Sequence, residues 1–303
     1  MFDPRFQAQV FLGIRCLPEV AKHNCFALKG GTAINLFVHD LPRVSVDIDL
    51  TYLPLKSRDE SLQEISDTLQ HIKTEIESLI PGTRVAVRHV QGYAAKLSVA
   101  TDYTEVKIEP NLVLRGALSA PTVRELSPLA QKRFRSSARI QTLANADLYG
   151  GKLCAALDRQ HPRDLFDIRL LLMDEGLTPA IRRAFVVYLA SHTRPIHELL
   201  QPNLIDMTDA FERQFVGMTM EPVTLDELVC TREKLIDILV PSLDNSEKTF
   251  LLSMKSGDPD WSVLGIENLE RMPALQWKLM NIRSMDARKR QVQLRLLQEL
   301  LSA

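Results

Sequence analysis

A glycine pair near the start of the chain has the residue types needed to hold a phosphate group. The segment Lys29–Leu50 reads KGGTAINLFVHDLPRVSVDIDL. Gly30, Gly31 and Thr32 lie where a short strand is predicted to turn into a helix. Backbone N–H groups and a hydroxyl at the start of a helix attract anions. By itself, a Gly-Gly-Thr turn is more often an ordinary connection between a strand and a helix.

The acidic triplet Asp47-Ile48-Asp49 in the same segment predicts a cation site. Side chains two residues apart on a strand point to the same side, so the two carboxylates could reach one divalent cation while Ile48 faces the core. Like charges held this close repel each other, and a hard cation removes that cost. The alternative is a solvated face of an edge strand.

A second set of charges lies further along the chain, where residues 147–168 read DLYGGKLCAALDRQHPRDLFDI. Two helices are predicted here, with Pro162 at the break between them. A helical hairpin of this length could bring Lys152 opposite Asp167. The alternative is a surface ion pair, with Asp164 serving as a charge at the start of a helix.

Hydrophobic periodicity predicts the elements that position these residues. The first 115 residues mix helical and strand patterns and the rest is almost entirely helical, which predicts an α+β fold with a core at 1–115 and a mainly helical domain at 116–303. Strands are predicted at 25–29, 44–53, 84–90, 95–100 and 104–113. Helices are predicted at 3–22, 32–38, 55–79, 145–157, 164–173, 179–191, 225–240, 245–255 and 273–301.

The order KGGT, fourteen intervening residues, then DID resembles the active-site plan of the DNA polymerase β-like nucleotidyltransferases. The resemblance implies a mixed small sheet with helices, an NTP substrate and Mg²⁺ or Mn²⁺ as cofactor. It also implies a third carboxylate on a later, neighbouring strand. Glu109 in VKIEP is the natural candidate, and Glu105 on the same face is the alternative.

With Lys152 and RDLFDI included, the chain from about Phe26 to Ile282 looks like the AbiEii/AbiGii abortive-infection nucleotidyltransferase toxins. The stretch FLLSMKSGDPDWSVLGIENLERMPALQWKLMNI is similar to the C-terminal part of that family. The resemblance implies that the helical domain completes the active-site cleft. It implies these catalytic residues, of which the first three would bind metal: Asp47, Asp49, Glu109, Lys152 and Asp167. The nucleotide-binding residues that it implies are Lys29, Gly30, Gly31, Thr32, Arg43, Arg163 and Asp164. For Arg43, a solvent-facing position in a loop is at least as plausible.

By this resemblance we expect a toxin that transfers a nucleoside monophosphate to an RNA acceptor, with the tRNA 3′ end as the working hypothesis. Translation and growth would be blocked, as in phage defence, and an AbiEi-like transcriptional regulator would be the antitoxin. Two alternatives stay open on the residues alone. One is a phosphotransferase or nucleotide hydrolase, and the other is a non-catalytic nucleotide-binding module.

Composition limits the partners that the whole surface can attract. The formal net charge is −1, so nucleic acid must be held by local patches. Two segments, 124–139 and 278–290, are rich in Lys and Arg and are candidates for such patches, although a solvated helix face is as plausible for either. The cysteines are scattered, and the N-terminus does not resemble a signal peptide, which predicts a cytoplasmic protein. We expect no membrane span, because the sequence has no long apolar run.

Overall fold

The structure is a computed structural model that describes residues 2–302. In that range the strands are β1 (Phe26–Lys29), β2 (Asp47–Tyr52), β3 (Arg84–Val90), β4 (Tyr93–Ala100), β5 (Glu105–Asn111), β6 (Thr122–Glu125) and β7 (Arg139–Thr142). The α-helices are α1 (Pro4–Ala21), α2 (Gly30–Ala33), α3 (Arg58–Leu79), α4 (Pro128–Phe134), α5 (Asn145–Arg159), α6 (Pro162–Asp174), α7 (Pro179–Ser191), α8 (Ile196–Leu200), α9 (Thr208–Gln214), α10 (Leu225–Ser242), α11 (Asn245–Ser256), α12 (Pro273–Arg283) and α13 (Ala287–Ser302). A π-helical turn, Ile34–Val38, continues α2, and a 3₁₀ turn, Leu269–Arg271, precedes α12.

The described residues form two compact units. The first contains 2–144 and a returning segment, 215–222, and the second contains 145–214 and 223–302. The returning segment joins the first unit through backbone hydrogen bonds, such as those from Val44 N to Met218 O at 2.8 Å and from Met220 N to Pro42 O at 2.9 Å. The predicted domain boundary at residue 115 lies earlier in the chain than this division.

The first unit is built on a mixed sheet with the order β3-β4-β5-β2-β1-β7-β6. The pairs β2–β5 and β1–β7 are parallel, and the other neighbouring strands are antiparallel. Helix α1 packs on β5 and β7, and α3 packs on β4. Both helices cover the apolar face of the sheet, to which β5 contributes Val106 and Ile108. Because side chains alternate along a strand, the charged residues of β5 point to the opposite face.

The second unit is helical, and its central pair is α5 and α7. A Cβ built at Gly150 would lie 2.8 Å from the backbone carbon of Ala184, so only glycine lets these two helices approach so closely. Its neighbour Gly151 has nothing within 4 Å of such a Cβ. Helix α6 packs on α5 and on α10. This packing fixes the positions of the charged residues on α5 and α6.

The α+β class predicted from the sequence is confirmed, and most predicted elements lie within a few residues of the observed ones. Two differences concern the part after residue 115, which was predicted to be mainly helical. Strands β6 and β7 occur there, each only four residues long. The helix predicted at 273–301 is divided into α12 and α13, because Ser284 ends α12 and the side chain of Asp286 accepts a hydrogen bond from Lys289 N at 3.0 Å.

Candidate active site

Strands β2 and β5 bring three acidic side chains to one face of the sheet. The strands run parallel, with Asp47 opposite Lys107 and Asp49 opposite Glu109. These four residues define the carboxylate face, and Ile48 between the two aspartates is buried on the other side. Parallel strands in register place side chains of the same parity together. The sequence predicted the three acidic residues, and the register of β2 and β5 places them side by side.

The two candidates for the third carboxylate have different positions. Glu109 lies directly beside Asp49 and forms an ion pair with Lys96 of β4. Glu105 lies at the start of β5, before the residues that pair with β2, and accepts a hydrogen bond from Ser98 Oγ. The geometry therefore favours Glu109 over Glu105 as the neighbour of the aspartate pair.

The glycine turn, Lys29–Thr32, lies against the carboxylate face. Lys29 ends β1 opposite Asp49, and Gly30 follows with a φ of +68°. A Cβ built at Gly30 would lie 2.5 Å from Asp49 Oδ2, well inside van der Waals contact. Thr32 is buried and donates a hydrogen bond from Oγ1 to the carbonyl of Asp47. The turn and the acidic strand thus form a single local structure.

Arg43 and Ser45 approach the same turn from the loop before β2. A Cβ built at Gly31 would lie 2.6 Å from Arg43 Nη2 and 2.8 Å from Ser45 Oγ. Arg43 is 1% exposed and donates from Nη1 to the carbonyl of Val44 at 2.9 Å. The alternative of a solvent-facing loop arginine is therefore wrong. Ser45 was missed by the sequence reasoning, because a serine in a loop gives no local signal.

The carboxylate face offers hard oxygen ligands, which suit Mg²⁺. Among residues 2–302, no group of three or more His, Cys, Asp or Glu side chains is already arranged to hold a metal ion. Mg²⁺ is usually bound through one or two protein carboxylates together with substrate phosphates. Asp47 and Asp49, both half-buried beside the glycine turn, fit that mode.

A buried ion cluster forms in the second unit, where α5 and α6 make the predicted hairpin. Lys152 Nζ contacts Asp164 Oδ1 at 3.0 Å and Asp167 Oδ2 at 2.9 Å. Arg159 Nη2 also contacts Asp164, at 2.8 Å. Lys152 is 7% exposed and the two aspartates are 2% and 0% exposed. The prediction that Lys152 meets Asp167 is confirmed, and the alternative of a surface ion pair is wrong because the cluster is buried.

The charges in this cluster support one another. Burial alone would raise the pKa of Asp164, but Lys152 and then Arg159 outweigh it and hold that pKa below its usual value.

Arg163 is half-buried at the start of α6, where its N–H donates to His161 Nδ1 at 3.1 Å. Asp147 on α5 was missed by the sequence reasoning. It is buried and accepts a hydrogen bond from Tyr188 at 2.9 Å.

The two basic segments contain exposed side chains together with a few that make internal contacts. Lys278 is buried, and Arg283 donates to the carbonyl of Gly257 at 2.9 Å. Arg288, Lys289 and Arg290 lie on α13. In the 124–139 segment, Arg124 donates to Thr142 Oγ1 at 3.1 Å. Most of the basic side chains in the two segments are exposed, so contact with nucleic acid there stays a prediction.

The predicted site residues therefore fall into two groups. The first unit contains Lys29, Gly30, Gly31, Thr32, Arg43, Asp47, Asp49 and Glu109, and the second contains Lys152, Arg163, Asp164 and Asp167. A mixed sheet with an acidic pair beside a glycine turn is consistent with the nucleotidyltransferase class that the sequence resembles. The family model of the nucleotidyl transferase AbiEii toxin, type IV TA system, matches residues 14–281. The chain belongs to this family of nucleotidyltransferase toxins.

Among solved structures, the chain is similar to MenT4, the nucleotidyltransferase toxin Rv2826c from Mycobacterium tuberculosis H37Rv. The TM-score is 0.60 at 18% sequence identity, over 98% of this chain and 93% of that chain. At this identity the likeness concerns the fold. No curated protein matches the sequence. None of the helices in residues 2–302 is long and apolar enough to cross a bilayer.

Proposed function

We propose that this toxin transfers a nucleoside monophosphate from an NTP to the 3′ hydroxyl of an RNA, with Mg²⁺ as cofactor, and that tRNA is the acceptor. The observation that carries the proposal is the contact of Asp49 with Gly30, with Asp47 on the same face and Glu109 in register beside it. This arrangement would join a phosphate-binding turn to a cation-binding strand. Reactions at phosphorus depend mostly on positioning and electrostatic stabilisation, which these residues can supply.

Each residue of the first unit has a role in this proposal. The N–H groups and hydroxyl of the glycine turn would bind the β and γ phosphates, and Lys29 and Arg43 would balance their charge. Asp47, Asp49 and Glu109 would hold Mg²⁺. The bound cation would activate the attacking hydroxyl and stabilise the departing pyrophosphate. Glu109 would exchange its ion pair with Lys96 for the cation.

The buried ion cluster would serve the same reaction. Lys152 would neutralise phosphate charge and Asp167 would act as a further essential acid, with Arg163 and Asp164 in support. Its ion pairs with Asp164 and Asp167 fix the ammonium group of Lys152 in place, which suits a group that must offset phosphate charge. A purely structural role predicts that Lys152→Arg keeps full activity if it folds. The proposed role predicts loss of activity in a protein that is still folded.

In the cell, transfer to tRNA would block translation and growth, as in defence against phage. The toxin would act in the cytoplasm, where its acceptor is found. Its family implies an antitoxin, and we propose an AbiEi-like regulator in that role. Whether the two proteins touch is tested by co-purification. Basic side chains that remain on the surface, such as Arg135, would contact the RNA backbone.

The test is incubation of the protein with total RNA, Mg²⁺ and each NTP, labelled in turn at the α and γ phosphates. Asp49→Asn is the inactive variant, and Asp59→Asn, on the exposed surface of α3, is its charge-matched control. The proposal expects α-label in RNA with the wild type and with Asp59→Asn but not with Asp49→Asn. Sequencing the labelled RNA ends identifies the acceptor.

Three results would contradict the proposal. Label from the γ position on protein, or released as free phosphate, would mean a phosphotransferase or a hydrolase. Growth inhibition that survives Asp49→Asn would mean a non-catalytic module. Label in RNA that does not depend on Asp49 would mean that the acidic pair has another role. Membership of a nucleotidyltransferase family already argues against a phosphotransferase or a hydrolase.

A further inference from the structure

A cavity of about 240 Å³ in the second unit is lined by three lysines. We call it the lysine cavity, and the lysines are Lys255 of α11, Lys278 of α12 and Lys289 of α13. The other lining residues are Thr193, Pro195, Asn281, Ile282, Met285 and Gln293, so no carboxylate lines it. A concave surface with charges of one sign concentrates the electric field and attracts ions of the opposite sign.

Lys278 is fixed in place by the end of helix α7. Its Nζ donates to the carbonyls of His192, Thr193 and Arg194 at 2.6, 3.1 and 2.9 Å. The C-terminal end of a helix favours a cation, which explains why a charged group is tolerated here at 7% exposure. Burial, followed by the nearby Lys255, lowers the pKa of Lys278 to about 8. At neutral pH the group is still largely charged and contributes its positive field to the cavity.

Lys255 has hydrogen-bonding capacity to spare. It is 2% exposed, and within residues 2–302 the structure shows one side-chain hydrogen bond for it, to Gln293 Oε1. An ammonium group has three N–H donors, and burying a charged donor without acceptors is costly. Burial first, and then Lys289, lowers the pKa of Lys255. The amine is thus buried beside other cations with donors left to bind an anion.

The acidic residue that acts on these lysines lies outside the cavity lining. Glu198 of α8 attracts both Lys255 and Lys278, but it also contacts Arg194 Nε at 3.7 Å. Lys255 and Lys278 therefore share one carboxylate, which also pairs with Arg194. We propose that the lysine cavity binds a phosphate group, with Lys255 donating hydrogen bonds to it and Lys278 and Lys289 supplying charge.

The size and charge of the cavity indicate which phosphates it can take. A volume of about 240 Å³ admits a phosphate or pyrophosphate but not a folded nucleic acid. Lys289 is exposed, so a phosphate that is part of a larger molecule could enter past it. The source is therefore either a free phosphate compound, such as pyrophosphate, or the terminal phosphate of an RNA strand. This proposal does not rest on the nucleotidyl transfer proposed above.

The experiment measures binding to the whole protein without divalent cations, because the candidate active site is proposed to bind phosphates together with Mg²⁺. Isothermal titration uses sodium pyrophosphate in one arm and a short RNA with a 5′ phosphate in the other. The same RNA without the phosphate, and sodium chloride at matched ionic strength, are the blanks. The variants are Lys255→Met and Lys289→Gln, with Lys234→Gln on the exposed surface of α10 as the charge-matched control. Lys278 is left unchanged because it also stabilises the end of α7.

The expected result is binding of at least one phosphate probe by the wild type and by Lys234→Gln. Lys255→Met should weaken it at least about tenfold, since it removes a charge-assisted hydrogen bond, and Lys289→Gln should weaken it less. Asp49→Ala should bind as the wild type does, which separates this cavity from the candidate active site. Lys255→Met should fold normally, because it removes a buried charge near other cations. If it does not, Lys289→Gln against Lys234→Gln decides the question.

Two results would overturn the proposal. One is that neither phosphate probe binds more tightly than its blank. The other is that binding is the same in Lys255→Met, Lys289→Gln and the wild type. Binding of pyrophosphate alone would identify a free phosphate compound as the ligand, and binding of the phosphorylated RNA alone would identify a strand end. Either outcome supports the proposal if Lys255→Met weakens the binding at least about tenfold.

Discussion

Replacing Gly30 by alanine tests the contact between the glycine turn and the acidic strand. The added Cβ would lie 2.5 Å from Asp49 Oδ2, whereas ordinary contact begins at 3.4 Å, so the oxygen must move by about 0.9 Å (3.4 − 2.5). A displacement of about 1 Å in a catalytic group can cost about a hundredfold in rate. We therefore expect Gly30→Ala to lower nucleotidyl transfer about a hundredfold.

The substitution also affects stability, and this effect needs its own control. Gly30 has a φ of +68°, where alanine costs about 1 kcal/mol. Gly82 has a φ of +78° but nothing within 4 Å of a built Cβ, so Gly82→Ala carries the same backbone strain without the contact. Both variants should lose about 1 kcal/mol in urea unfolding. Only Gly30→Ala should lose activity.

The assay is label transfer from an α-labelled NTP to RNA, run on folded protein beside the unfolding measurement. The reasoning would be refuted if folded Gly30→Ala kept more than about a third of wild-type activity. It would also be refuted if Gly82→Ala lost as much activity as Gly30→Ala. Growth inhibition in cells that express each variant gives a second readout that needs no knowledge of the nucleotide.

Five further substitutions test other parts of the structure. Glu109→Gln should reduce transfer at least about tenfold and Glu105→Gln less than about threefold, because only Glu109 lies beside Asp49. Lys152→Met should lower the free energy of unfolding in urea by about 3 kcal/mol, because it leaves two buried carboxylates without their shared cation. Asp164→Asn should lose less stability than the wild type as pH falls below about 5. The pKa of Asp164 is lower in the folded than in the unfolded chain, so the stability that the ionised group contributes disappears as pH falls through the folded pKa. Lys278 has a pKa of about 8 in the folded chain, so it loses its proton at a lower pH there than in the unfolded chain. The wild type should therefore gain stability relative to Lys278→Met as pH rises from about 8 to about 10.

Each of these predictions has an opposite outcome. Equal activity of the two glutamine variants would mean that the register does not choose the third carboxylate. A stable Lys152→Met would mean that the buried ion cluster contributes no net stability. Parallel pH profiles for Asp164→Asn and wild type, or for Lys278→Met and wild type, would mean that these groups titrate alike in the folded and unfolded chains.

Local signals were enough to predict most helices. A capping box, in which the side chains of Ser57 and Glu60 bond each other's backbone N–H groups, starts α3. Asp244 and Glu247 form the same motif at the start of α11. These signals act within one helical turn, so the sequence alone contains them. The division between α12 and α13 also had a local signal, in the side chain of Asp286, which was outweighed by the apolar periodicity of the whole segment.

Strands β6 and β7 were missed for a different reason. Each is four residues long, and three residues of β6 are exposed, so neither shows a strand pattern. They exist because they pair with each other and because β7 joins β1 at Leu28 and Thr142. The pairing of β7 with β1 joins residues more than a hundred positions apart, which a local pattern does not contain.

The candidate site residues also divide into those that local sequence patterns identify and those that only the tertiary structure brings together. By itself the sequence determined the helices, the acidic pair, the glycine turn and the α5–α6 hairpin, because spacing along one element fixes which side chains share a face. Only the tertiary structure decided that Glu109 rather than Glu105 neighbours Asp49, that Arg43 is buried against Gly31, and that three lysines share a cavity. Strand register and helix packing are set by the burial of the whole core. No single segment therefore encodes them.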